Sequence, residues 1–299
     1  MTFPSLCCSR PSRAVLIALI VAIATAVYAQ PAERPFTVEV TGSGPDLVLI
    51  PGLAGGGVVW NGTVERLASS HTLHVVTLAG FGGVAPVDAS TQDGFLDAVR
   101  DELAAYVTSL DNPAIVAGHS LGGWTALRIG LAVPESVAQV VVVDALPFLA
   151  AAQDPTMTEA RAVEMGSGMK RMMALSTPEQ FRVQQEMALA SMITNPDTAA
   201  AYLDVHASSD PATVAQAMYD MFTTDLRDDM ADLTVPTLVL AAGAGYGGMD
   251  EAAVRALYEG QYGEGVHVEI VSDSRHFIQL DQPDALAEHL RSVSASATP

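Results

Sequence analysis

Residues Ala114-Ile115-Val116-Ala117-Gly118-His119-Ser120-Leu121-Gly122-Gly123-Trp124-Thr125-Ala126-Leu127 decide the fold of this chain. The first four form an apolar, strand-like run, and the residues from Trp124 to Leu131 have helical character. Between them stands Gly-x-Ser-x-Gly, so a strand is predicted to turn sharply into a helix with Ser120 at the tip. Side chains at 118 or 122 would collide with so tight a backbone, which is why glycine suits both positions. The serine hydroxyl then lies at a helix N-terminus, where free backbone N–H groups can meet an oxyanion. The pentapeptide alone recurs by chance in many proteins. The strand before it and the helix after it make it read as an acyl-transfer site.

The N-terminal segment reads differently. Arg10 and Arg13 precede an apolar run from Ala14 to Val27, and Val27-Tyr28-Ala29 offers small residues for signal-peptidase cleavage. The run is about 14 residues, short of the roughly 20 that a membrane-spanning helix needs. Residues 1–29 are therefore expected to be a signal peptide, cleaved near Ala29, with the mature protein periplasmic or extracellular and not inserted in the membrane. A retained N-terminal membrane anchor is the alternative. Both cysteines, Cys7 and Cys8, fall in this segment, so the rest of the chain has no disulfide or thiol chemistry. The remaining stretch of about 270 residues is long enough to bury one large core without such bridges.

The whole chain carries 34 acidic and 14 basic residues, a net charge of −20. Removing Arg10 and Arg13 takes it to −22. Nothing offers a basic patch to phosphate backbones, which argues against nucleic-acid binding. Asn61-Gly62-Thr63 fits a glycosylation sequon and is read as a chance match.

Short apolar runs alternate with helical patterns along the chain, the signature of a mostly parallel sheet covered by helices on both faces. Strands are predicted at Phe36–Val40, Leu47–Ile50, Leu73–Leu78, Ala114–Ala117, Val137–Val143, Thr237–Ala242 and Val266–Val271. Sheet-packing helices are predicted at Thr91–Leu110, Leu121–Val133, Glu251–Gly260 and Pro283–Ser292. Residues 145–231 break the alternation. They hold no convincing strand but three helix-start signals: Thr177-Pro178 with Gln180 behind it, Asn195-Pro196 and Asp210-Pro211. Ten of the twelve methionines lie there. Flexible, polarizable methionines could line an adaptable apolar pocket or fill the core of a small helical unit. The chain thus divides into a core half at 30–144, a helical cap at 145–231 and a second core half at 232–299.

With these features assembled, the chain from Phe36 to about Val293 resembles the α/β-hydrolase superfamily, as a capped, serine-nucleophile, esterase- or lipase-like member. Three motifs carry the resemblance in the family's order. The first is Pro51-Gly52-Leu53-Ala54-Gly55-Gly56-Gly57, where Pro51 replaces the family's usual histidine. The resemblance implies an oxyanion hole from the backbone amides of Leu53 and Leu121. Gly80-Phe81-Gly82-Gly83 resembles the family's next turn, with a structural role. The second motif is Ser120. The third is Ser274-Arg275-His276-Phe277-Ile278-Gln279-Leu280-Asp281-Gln282-Pro283, which resembles the family's His-Phe stretch after the last strand and makes His276 the base that serine requires. Of the other histidines, His119 is expected to support the site from behind, His71 and His74 to lie at the surface or a strand edge, His206 to belong to the cap, and His267 and His289 to be solvated.

The acid is less well marked. The family usually places it a few residues past the strand at 237–242, where this chain has Gly243-Ala244-Gly245-Tyr246-Gly247-Gly248-Met249-Asp250. Asp250 comes late in that loop. Asp144, at the end of Val141-Val142-Val143, matches a minority position at the tip of the preceding strand. Both stay open, and Asp144 could instead cap the first turn of the cap region.

The resemblance implies a serine hydrolase that cleaves carboxylic esters through a Ser-His-Asp triad and an acyl-enzyme, with no cofactor and no metal. Its partner would be a small ester-like substrate, with a medium-sized apolar acyl group suggested by the cap methionines. Serine at the elbow argues against dehalogenase and epoxide-hydrolase chemistry, which need a carboxylate nucleophile. A lactonase, peptidase, carbon–carbon-bond hydrolase, cofactor-free peroxidase or acyltransferase would show the same constellation. So would a binding protein that kept the fold and lost turnover.

Overall fold

A strand turns alternate side chains to opposite faces, and in the central strands of this protein both sets are apolar. Leu47 and Leu49 of β2 (Asp46–Ile50), Ile115 and Ala117 of β4 (Ala114–His119), and Val141 and Val143 of β5 (Val137–Val143) join one buried cluster. Val48, Ile50, Val116, Val140 and Val142 join the other. Each face therefore needs a covering layer. In the computed structural model, which describes residues 34–244 and 248–297, that layer is helical on both sides. Helices α1 (Asn61–Leu67) and α10 (Pro283–Ala297), with the short α9 (Ile278–Asp281), cover the first face. Helices α2 (Phe95–Thr108), α3 (Leu121–Ala132) and α8 (Glu251–Tyr262) cover the second. The expected signal peptide at 1–29 lies outside the described residues.

The other strands are β1 (Phe36–Gly42), β3 (Thr72–Leu78), β6 (Thr237–Ala242) and β7 (His267–Val271). The sheet order is β1-β3-β2-β4-β5-β6-β7, with β1 antiparallel to β3 and every other pair parallel. The chain leaves β2 toward β3 on one side and β4 toward β5 on the other. A crevice opens beyond the carboxyl ends of two strands that diverge in this way, and ligands bind there in open α/β sheets. Register aligns Ile50 with Gly118, His119 with Val143, and Val143 with Leu240, so the loops after β2, β4, β5 and β6 leave from one edge.

Between β5 and β6 stand α4 (Glu159–Ala174), α5 (Pro178–Met192), α6 (Pro196–Ala207) and α7 (Pro211–Thr223). Their starts are fixed by side chains. Thr177 accepts from the Gln180 N–H while the Gln180 side chain accepts from the Thr177 N–H, and Asn195 and Asp210 cap α6 and α7. α4 packs on α7, and α5 on α6.

Two helices differ from the sequence reading. The helix predicted from Thr91 begins at Phe95, because a short 3-10 turn at Asp88–Thr91 comes first and Gly94 takes a left-handed φ of 82°. Helix α1 grows from the 3-10 turn Gly57–Trp60 with no side-chain cap, so no start signal marks it.

Candidate active site

The turn between β4 and α3 is forced by close packing. A Cβ on Gly118 would stand 2.0 Å from the Gly122 carbonyl oxygen, and one on Gly122 would stand 2.2 Å from that of Ile50. Ser120 is held at φ 53°, ψ −120°, a conformation costly for a residue with a side chain. Its N–H donates to the Val143 carbonyl at 2.9 Å, and its own carbonyl accepts from the Trp124 N–H at 3.0 Å. Leu121 follows as the first residue of α3, and Leu53 lies in the loop that leaves β2.

Asp144, the residue after β5, also takes a positive φ, 51°, with its N–H bonded to the Leu240 carbonyl at 2.8 Å. This points the carboxyl group along the carboxyl edge of the sheet, where it is fully buried. One oxygen accepts from the Ala242 N–H at 2.8 Å and the Tyr258 hydroxyl at 2.7 Å. The other lies 2.6 Å from His276 Nδ1. A carboxylate only accepts, so Nδ1 carries the proton and Nε2 is left as the basic nitrogen. Asp250 stands elsewhere: its carboxylate caps α8 by accepting from the Ala253 N–H at 2.9 Å, on the protein surface. Of the two aspartates, the structure brings only Asp144 to His276.

His276 rides on a turn that is fastened from three sides. Asp281 accepts from the Arg275 N–H at 2.9 Å and from the backbone and hydroxyl of Thr194 at 2.9 and 2.8 Å. The Phe277 N–H donates to the Met192 carbonyl at the end of α5, at 3.3 Å. His119, fully buried, donates from Nε2 to the His276 carbonyl at 2.9 Å. Burial holds the His119 imidazole well below its ordinary pKa, and the adjacent His276 adds to the effect, so it stays neutral. Tyr258 and Thr194 escaped the sequence reading because each reaches the site through tertiary packing and lies in no recognised motif, and Asp281, although inside the His276 motif, takes its role from bonds to Arg275 and Thr194 that only the fold brings together.

Two other histidines correct the sequence reading. His71 and His74 are buried, and His74 bonds Tyr106 at 2.7 Å and Asp46 at 2.9 Å. For His74 the reason is topological: β3 is not an edge strand but lies between β1 and β2, while His71 sits just before β3 with its N–H bonded to the Leu67 carbonyl at the end of α1 at 2.9 Å. His206 comes from the cap, as expected, and is buried; burial pushes it down to about 4. His267 is exposed and His289 partly so.

Ser120 and His276 open together into a cavity of about 750 Å³. Its walls include Leu53, His206, Phe277 and six cap methionines: Met169, Met172, Met173, Met192, Met218 and Met221. Met157 and Met230 are core residues instead, and Met165 and Met187 face solvent. No Lys, Arg, Asp or Glu is found among the described lining residues. Among the described residues, no group of three or more His, Cys, Asp or Glu side chains is arranged to hold a metal ion.

This fold and this edge-of-sheet crevice define a known class. Residues 47–289 match the family model described as the alpha/beta hydrolase family, and the chain belongs to that family. The pimeloyl-[acyl-carrier protein] methyl ester esterase of Nitrosomonas europaea is 30% identical over 216 residues, covering 68% of this chain and 78% of the relative. The enzyme of the same description from Aeromonas salmonicida is 27% identical over 262 residues, 85% of this chain and 97% of the relative. Among solved structures, a thermophilic esterase from Thermogutta terrifontis superposes with a TM-score of 0.71 at 19% identity, covering 88% of this chain and 94% of that one.

Proposed function

We propose that the protein hydrolyses neutral carboxylic esters with an apolar acyl group, using Ser120 as nucleophile, His276 as base and Asp144 as acid. One observation carries the reading. His276, with Nδ1 braced by a buried carboxylate, and Ser120, on a strained turn, face the same apolar cavity. His276 Nε2 takes the hydroxyl proton as Ser120 Oγ bonds to the ester carbonyl carbon. The carbonyl oxygen becomes an oxyanion held by the N–H groups of Leu53 and Leu121, the latter aided by the α3 N-terminus. The ester C–O bond then breaks, the alcohol leaves with the proton from His276, and the acyl group stays on Ser120. Water attacks the acyl-enzyme and gives its proton to His276, the bond between the acyl carbon and Ser120 Oγ breaks, and His276 returns the proton to Oγ as the acid leaves.

The absence of charge among the described cavity walls favours an uncharged acyl chain, since an unpaired ion there would be desolvated at high cost. Relatives named as methyl ester esterases support a small alcohol as leaving group. Turnover of p-nitrophenyl esters from two to twelve carbons tests this. A maximum at intermediate length is expected, with a loss of at least about 10³-fold in Ser120→Ala. A folded wild type that cleaves none of them contradicts it. We further propose export with cleavage near Ala29, supported by Arg10, Arg13 and the apolar run at 14–27. A mature N-terminus at Gln30 is expected. Intact Met1 in the membrane fraction would contradict export as a cleaved protein.

A further inference from the structure

Six cap methionines stand in the wall of the reactive cavity. Of those six, Met172 and Met192 are exposed, at 72% and 39%, while the others are half-buried or buried. Met172 belongs to the last turn of α4, and Met192 is the last residue of α5. The Met192 carbonyl accepts from the Phe277 N–H, which places this residue against the turn that carries His276. Both side chains therefore meet water on one side and the space open to substrate on the other. Met165 and Met187, 56% and 63% exposed, lie on the same two helices but are no part of the cavity wall.

A thioether is soft and polarizable, and oxidation turns it from an apolar group into a polar, chiral sulfoxide. Cys7 and Cys8, the only thiols of the chain, lie in the segment proposed to be removed, so thioethers are the only sulfur left to react. Hydrogen peroxide is small and uncharged, and a net charge of −20 does not repel it. No Lys or Arg among the described lining residues stands ready to pair with a sulfoxide oxygen. Such an oxygen would give up water for no strong partner whenever an apolar acyl chain lay against it.

We propose that Met172 and Met192 are sites of oxidation by peroxide and, resting on the ester-hydrolase reading, that their sulfoxides weaken the entry of long apolar acyl chains. In each residue the sulfur lone pair attacks one peroxide oxygen and the O–O bond breaks. The second oxygen leaves as water with both protons, so sulfur is oxidised and the peroxide reduced. Methionine sulfoxide reductases, one for each epimer, reverse the change.

Peroxide treatment of the full-length protein, with sulfoxides mapped by peptide mass spectrometry, tests this. Sulfoxides are expected at Met172 and Met192, with kcat/KM on p-nitrophenyl octanoate falling at least about tenfold through KM and kcat/KM on the acetate unchanged within about twofold. Met172→Leu/Met192→Leu, a volume-conserving change, should show no such fall on treatment, whereas Met165→Leu/Met187→Leu should fall like the wild type. All these proteins share Cys7 and Cys8, so thiol oxidation cancels in the comparison. Binding of the uncharged apolar dye Nile red to Ser120→Ala reads the cavity without turnover. Its affinity should drop on oxidation, and should not drop when Met172→Leu/Met192→Leu is added. A failure of the hydrolase reading would leave this dye result standing. Full conversion of both methionines with octanoate turnover and dye binding unchanged would overturn the proposal. So would protection by Met165→Leu/Met187→Leu, or oxidation of Met165 and Met187 with Met172 and Met192 left intact.

Discussion

Asp144 and Asp250 separate the account at the scale of single residues. Asp144→Asn keeps the shape of the site but can no longer fix the His276 tautomer by acceptance alone, and kcat is expected to fall about 10³–10⁴-fold. Asp250→Ala should leave kcat unchanged and cost about 1 kcal/mol in unfolding free energy, the worth of an N-cap. Steady-state kinetics and urea melts on both variants check the pair; the reverse pattern would make Asp250 the acid. Ser120 and His276 were legible in the sequence because their neighbours mark them: glycines on each side of the elbow, and a His-Phe turn between the last strand and the last helix. The acid was not legible between its two candidates. What brings Asp144, and not Asp250, beside His276 is that β5 lies beside β6 and that Asp144 takes a positive φ just past the strand end, and neither is written locally. Tyr258 was hidden for the same reason. Tyr258→Phe removes one of the donors to Asp144, and kcat should drop about two- to tenfold with KM little changed.

The elements carrying the site are held by contacts that sequence patterns reveal unevenly. Cap helices α5, α6 and α7 were visible from their starts, because Thr177, Asn195 and Asp210 bond the first-turn amides directly. Helix α1 has no such cap and was missed. The central strands were readable as apolar runs because both faces are buried. The same runs say nothing of order, so the sequence places His74 at the surface or a strand edge when β3 is internal. At this scale the most informative element is the turn that carries His276. Asp281→Ala removes the acceptor that joins Arg275 to Thr194, and should lower kcat about tenfold through misplacement of the imidazole. Asn195→Ala, which only uncaps α6, should cost about 1 kcal/mol of stability and leave kcat alone. Equal kinetic effects from the two would remove the positioning role of Asp281.

For the molecule as a whole, buried neutral histidines link stability to pH. His206 titrates near 4 when folded and near its ordinary 6.5 when unfolded, so between those values the unfolded chain binds the extra proton. Stability is then greatest above about 6.5 and declines as pH falls toward 4, by on the order of 3 kcal/mol for His206. His119 and His71, both lowered by burial, act in the same direction. Urea unfolding from pH 7 to pH 4 should show this slope, and His206→Gln should flatten it; a slope unchanged in the variant would place the linkage elsewhere. The proposed serine chemistry rests on the fold and the crevice at its sheet edge, and one measurement reaches it directly. A fluorophosphonate probe should form an adduct that mass spectrometry maps to Ser120 in the wild type. Labelling should be absent in Ser120→Ala and nearly absent in His276→Ala and Asp144→Asn. A folded wild type that stays unlabelled, or an adduct on any other residue, would contradict the account.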